Sequence, residues 1–214
     1  MTNSQIISIM SKEINFSVEE LRKLYAESTR AGKDILEAKV SDKSFFTAPS
    51  LDDYKTIKTY EDACTALGEK PLNEDALLAA GADAHVIALM KLETISKALW
   101  GRKFKPEPQG EWDGHTYYYW PWWCYYSKSE VEDIKAHLED NKDIAALFGG
   151  AASDGADAGF GCLDADDRPT NAIAYFGFRL CQQSAERARY FGAQFAELWA
   201  EYLAFGFVIK ERII

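Results

Sequence analysis

Trp112 to Ser127 reads WDGHTYYYWPWWCYYS, and nine of these sixteen residues are aromatic in a chain whose overall aromatic share is 14%. Tyrosine and tryptophan favour strands because their flat bulk packs well on a pleated surface. Thr116 to Tyr126 is therefore predicted to be extended, with side chains alternating between two faces. Tyr118, Trp120, Trp122 and Tyr126 share one face; Tyr117, Tyr119, Trp123 and Tyr125 share the other. Pro121 has no N–H to give to a ladder, so it marks an edge, a bulge or a kink at which the facing can swap.

Four rings per face carry roughly 600–1,000 Å² at about 150–250 Å² each. A soluble monomer leaves only about a few hundred Å² of contiguous apolar surface bare, so both faces need a cover. The C-terminal helix supplies one. The second has three sources: the chain's own helices, a second copy or partner protein, or a stacked ligand such as a glycan. Gly159, Gly161 and Gly177 lie in or beside the other predicted strands, and a glycine opposite a ring is a way to seat it across a sheet. That favours rings with a structural role.

Downstream, Ser127-Lys-Ser-Glu130 has the form of a capping box and opens a helix with Val131, Ile134 and Leu138 on one face and Ile144, Leu147 and Phe148 beyond. GGAASDGADAG (149–159) reads as a flexible loop, and Asp164, Asp166 and Asp167 as a solvated turn. Phe160–Leu163 and Ala172–Cys181 are predicted strands. Ser184 starts the strongest helix, whose stripe of Ala188, Phe191, Phe195, Leu198, Trp199, Tyr202 and Phe205 follows a three-to-four spacing. The tail FVIKERII is a last strand or a docked end.

Upstream, residues 1–16 are loose, and a Ser17–Glu20 capping box leads a helix with one modest apolar face from Val18 to Lys39. Residues 41–56 read as a linker. Thr59 opens a short helix that Gly68 ends, Asn73 caps the next, and Ala84 to Trp100 is apolar around most of its circumference, as a central helix is. The fold class is α+β: N-terminal helices, a small antiparallel sheet with a helical insert at about 127–148, and a long C-terminal amphipathic helix on the sheet. The organisation is an N-terminal tail, helix and linker (1–56) followed by an α+β domain (57–214).

The chain has 214 residues, 47% hydrophobic content and a net charge of −10. A duplex-binding protein needs a basic face, and here the densest basic group is the short Arg102-Lys103-Phe104-Lys105, so no nucleic-acid partner is expected. No apolar run approaches the roughly 18 residues needed to cross a bilayer, so no membrane partner is expected either. The N-terminus lacks a secretory pattern, which points to the cytoplasm. The four cysteines form no CxxC pair and the three histidines no HxxxH or HExxH spacing, so buried reduced thiols are expected, and no metal or other cofactor. The aspartates at 154–167 lack the order of a calcium loop. Asp113 and His115, beside the aromatic run, are the single acid/base candidate, although two turn residues next to a strand explain them as well. The candidate binding residues are Trp112, Trp120, Trp122, Trp123 and Tyr125.

Several segments in order, KTYEDACTALG (58–68), ALMKLETISKALW (88–100), YYYWPWW (117–123), GFGC (159–162) and FGFRLCQQSAERARYFGAQFAELWAEYL (176–203), resemble an uncharacterised family of small proteins of phages and prophages in gut bacteria. The resemblance spans roughly residues 57–205. This chain differs in its WPWWCYY ending, its insert at about 127–148, and Gly177-Phe178. The family has no assigned activity or catalytic residues. The resemblance implies a bacterial host cytoplasm or a virion as the setting. The expected function is non-enzymatic, through contacts with a protein partner or a second copy. The alternative is a ligand-binding module that stacks a glycan or other planar group on exposed Trp and Tyr; the third is a small enzyme using Asp113 and His115.

Overall fold

The computed structural model describes residues 18–40, 43–104, 106, 111, 113–141, 143–152, 157–169, 178–204 and 206–214. The chain divides into two compact units, Met1–Ala48 and Pro49–Ile214. Ser17, Trp112, Gly177 and residues 172–176, which carry sequence-based expectations, lie outside the described residues.

In the smaller unit the expected single helix is two, α1 (Val18–Glu27) and α2 (Arg30–Lys39). The Ser28–Thr29 pair separates them: Ser28 Oγ donates back to the Leu24 carbonyl, and Thr29 Oγ1 accepts from Gly32 N–H as a new N-cap. Such local hydrogen bonds compete with helix continuation. Phe46 stacks on Tyr25 with centroids 4.2 Å apart, and Arg22 Nε donates to the Phe45 carbonyl at 2.8 Å.

The larger unit holds α3 (Tyr60–Leu67), α4 (Glu74–Ala79) and α5 (Ala84–Trp100). Thr59 and Asp62 form a reciprocal capping box on α3, Gly68 at φ 69° ends it, and Asn73 caps α4. On α5, Ile87, Ala88, Leu92, Ile95, Ser96, Ala98, Leu99 and Trp100 are buried, as its all-round apolar pattern predicts. Gly101 then turns the chain at φ 82°, where a Cβ would sit 2.6 Å from the Leu51 carbonyl oxygen. That position needs glycine for conformation and for space.

The sheet has four antiparallel strands in the order β1-β3-β2-β4: β1 (Tyr117–Ser127), β2 (Ala146–Ala152), β3 (Asp157–Pro169) and β4 (Phe207–Arg212). The α+β class is as expected, with the C-terminal helices packed on the sheet. Several local expectations are corrected. The helix after Ser127 is only α6 (Lys128–Ala136), and residues 146–152 form β2 rather than a helix running into a loop. Ala146, Leu147 and Phe148 are all 1% exposed or less, because β2 is central and covered on both faces. An unbroken apolar run of this kind does not distinguish strand from helix. Gly149 and Gly150, expected in a loop, lie in this strand, and the ladder needs glycine at Gly150: a Cβ there would lie 2.2 Å from the Val208 carbonyl oxygen. Asp157, Asp164, Asp166 and Asp167 lie in β3, not in a turn. Phe178–Leu180, expected in a strand, forms a 3-10 turn, and Gln182 makes an isolated bridge to Tyr119.

The stripe after Ser184, as far as Tyr202, is carried by α7 (Ala185–Gln194) and α8 (Ala196–Leu203), which meet at Phe195 with φ −113° and ψ 32°; Phe205 lies outside the described residues. The break redirects the stripe. Helix α7 packs on β1 and β3, while α8 packs on α5. Phe191, Phe195 and Trp199 bury against Leu92, Ile95, Leu99, Tyr118 and Trp120 in the main core. Each fully buried side chain of this size contributes roughly 1.5–3 kcal/mol.

Candidate functional site

Tyr119 exchanges both backbone hydrogen bonds with Gln182, at 3.1 and 2.7 Å. Its polar groups therefore point away from β3, and Pro121, two residues on, turns its N–H-less nitrogen to the same outer side. This explains how proline is accommodated in β1, an edge strand of the sheet. The register between β1 and β3 shifts between Trp122 and Trp123: Trp122 pairs with Asp164, but Trp123 pairs with Cys162. Before the shift, the even residues Tyr118 and Trp120 enter the core. After it, the odd residue Trp123 packs on the cluster that holds Phe148, Phe160, Cys162, Ala196, Ala200 and Ala204. The swap anticipated at Pro121 thus occurs one residue later.

The other face of this end of the sheet is covered by the chain itself. Tyr126 and Leu163 pack on Ile134, Ile144 and Leu147. Gly161 leaves the room: a Cβ there would be 3.1 Å from Tyr126 Cε2 and 2.8 Å from the Ala146 carbonyl oxygen.

An open cleft of about 570 Å³ lies where β1 and β3 meet α8, lined by Trp120, Pro121, Trp122, Trp123, Asp166, Arg168, Leu180, Trp199, Tyr202 and Leu203. The register brings the polar pair to the rings. Trp120 lies opposite Asp166 and Tyr118 opposite Arg168, and directly opposed residues share a face. Arg168 Nη1 donates to Asp166 Oδ1 at 2.7 Å and to the Asp167 carbonyl at 2.6 Å. The two side chains keep 41% and 32% of their surface exposed, so the pair reaches solvent. Ala196 and Ala200 on α8, with its C-cap Ala204, meet the sheet cluster, while Trp199, Tyr202 and Leu203 line the cleft. Trp122 stands at the lip, 53% exposed. Trp123 is half-buried, yet its indole N–H is wholly enclosed and has no acceptor.

Three of the anticipated binding residues, Trp120, Trp122 and Trp123, therefore converge. Tyr125 does not line the cleft; it is 55% exposed and leans on Phe160 and Phe207 at 5.1 and 6.1 Å. Trp112 lies outside the described residues. Asp166, Arg168, Trp199 and Tyr202 escaped the sequence reading as site residues. Asp166 has the sequence context of a turn and Trp199 and Tyr202 that of a core stripe; the β1–β3 register and the packing of α8 bring them together.

Asp113 is committed to local structure. Its carboxylate accepts from His115 N–H at 2.9 Å, Thr116 N–H at 2.8 Å and the Thr116 hydroxyl at 2.5 Å. The Thr116 hydroxyl, followed by these backbone N–H groups, holds its pKa down at about 2. Such a carboxylate is a weak general base near neutral pH. His115 meets it through the backbone N–H. Among the described residues no group of three or more His, Cys, Asp and Glu could hold a metal ion. The aspartates of β3 instead face cations: Asp157 faces Lys210 at 2.8 Å, and Asp164 faces Arg189 at 3.4 Å. Cys64, Cys124, Cys162 and Cys181 are free thiols, and burial pushes Cys162 and Cys181 up to about 12. Among the described residues no helix is long and apolar enough to cross a membrane. No family model matches the chain, and no curated protein or solved structure does either.

Proposed function

We propose that the protein is a binding module without chemistry of its own, whose cleft seats a small ligand with one flat or apolar face and a polar edge. One observation carries this reading: Trp120, Trp122, Trp123, Trp199 and Tyr202 line the same cleft as the Asp166–Arg168 pair. Ligand pockets combine apolar walls with a few placed polar groups, at volumes of about 300–1,000 Å³. Of the acid/base candidates Asp113 and His115, the Asp113 carboxylate is engaged by Thr116 and the His115 backbone N–H. The test is a fragment library followed by NMR. Flat fragments are expected to shift the signals of Trp122, Trp123 and Tyr202; a library that moves none of them sinks the reading.

A second reading, contact with another protein chain, is supported by the exposed Tyr125 at 55%, Val208 at 63% and Ile209 at 40%. A phage or prophage setting for that contact rests on the sequence resemblance alone. Light scattering that finds a strict monomer at high concentration counts against self-association.

A further inference from the structure

Among the described residues the cleft is lined by one acidic and one basic group, and they are bonded to each other at 2.7 Å. That arrangement selects against charge. A cationic ligand entering among the rings meets the Arg168 guanidinium, and an anionic one meets the Asp166 carboxylate. Neither finds an unshared countercharge among these lining residues, so charge on the ligand gains little there. An aromatic cage for an ammonium group would gain from cation–π attraction, but a guanidinium in its wall opposes that gain.

A neutral ligand rich in hydroxyl groups suits the pair better. A carboxylate accepts only and a guanidinium donates only, while each hydroxyl does both. Adjacent hydroxyls therefore fit a lip where acceptor and donor stand side by side. The same ligand offers C–H faces to Trp122, a residue that is 53% exposed.

We propose that the cleft binds a neutral saccharide, one sugar face stacked on Trp122 and its hydroxyls shared between Asp166 and Arg168. This rests on the binding-module reading above and narrows it to a ligand class.

The experiment titrates the full chain with neutral gluco-, galacto- and N-acetylglucosamine oligosaccharides, sialylated and glucuronate sugars, nucleosides and choline. Indole N–H signals and tryptophan emission are the readouts. A neutral oligosaccharide is expected to shift Trp122 and Trp123. Trp122→Ala, at an exposed position that does not threaten folding, is expected to weaken binding roughly tenfold through lost ring contact. Asp166→Asn, close to isosteric, weakens the neutral sugar and admits the anionic ones. If nucleosides, choline or anionic sugars move the cleft signals and neutral sugars do not, the neutral-saccharide proposal is overturned while the cleft stands. If neither this panel nor the fragment library moves them, both fail.

Discussion

The indole of Trp123 lies nearly parallel to the ring of Phe160, with centroids 4.8 Å apart and planes 14° from each other. The two residues come from adjacent strands of the sheet, and the register shift beside Trp123 is what places them together. The stack holds the ring while its N–H stays without an acceptor. Trp123→Phe keeps an aromatic ring for the stack, though a smaller one, and deletes that donor, so it is expected to cost well under the alanine variant, about 1 kcal/mol in urea unfolding. Trp123→Ala removes the stack and leaves a cavity, at about 3 kcal/mol. Equal losses in the two variants would show that the N–H has an acceptor after all.

A Cβ at Gly159 would lie 2.4 Å from Val131 Cγ2, whereas at Gly161 it would lie 2.8 Å from a backbone carbonyl oxygen. Both glycine-to-alanine changes overpack the sheet and are expected to cost about 1–3 kcal/mol. They differ in rescue. Val131→Ala is expected to recover most of the loss at Gly159 and none at Gly161, a difference that a double-mutant cycle reads directly.

Asp62 is 5% exposed, and its carboxylate accepts from the backbone N–H groups of Lys58 and Thr59 at 2.9 and 3.1 Å. Asp62→Ala leaves two enclosed donors without it and is expected to cost about 2–3 kcal/mol. Thr59→Ala removes one capping bond and is expected to cost about 1 kcal/mol. Thermal melts that rank the two the other way would place the weight of the cap on the hydroxyl.

The Asp113 carboxyl is held at about 2, below its ordinary 3.8. A depressed folded-state value contributes stability that is present above the unfolded value and is lost as pH falls through the folded one. Asp113→Asn is therefore expected to flatten the stability profile between about pH 4 and pH 2. NMR titration of the carboxyl carbon checks the premise, and an ordinary midpoint would remove it. His115→Ala is expected to leave this acid limb in place, because the bond to Asp113 comes from the His115 backbone.

The caps at Thr59 and Asn73, the stop at Gly68, the all-round burial of Ala84–Trp100 and the extended run at 117–127 were legible in the sequence, because each is decided by near neighbours. A hydroxyl reaches an N–H three residues away, and an aromatic run favours a pleat wherever it sits. Burial on both faces erased the alternation that would have marked Ala146–Ala152 as a strand. The break at Phe195 exists because its ring is anchored among core residues far away in the chain. The candidate site belongs to the tertiary structure in the same way. The sequence held the tryptophans, but the pairing of Trp120 with Asp166 and the shift between Trp122 and Trp123 brought rings, carboxylate and guanidinium to one cleft. Register is chosen by the summed packing of the whole sheet, and no single segment of the chain contains that sum.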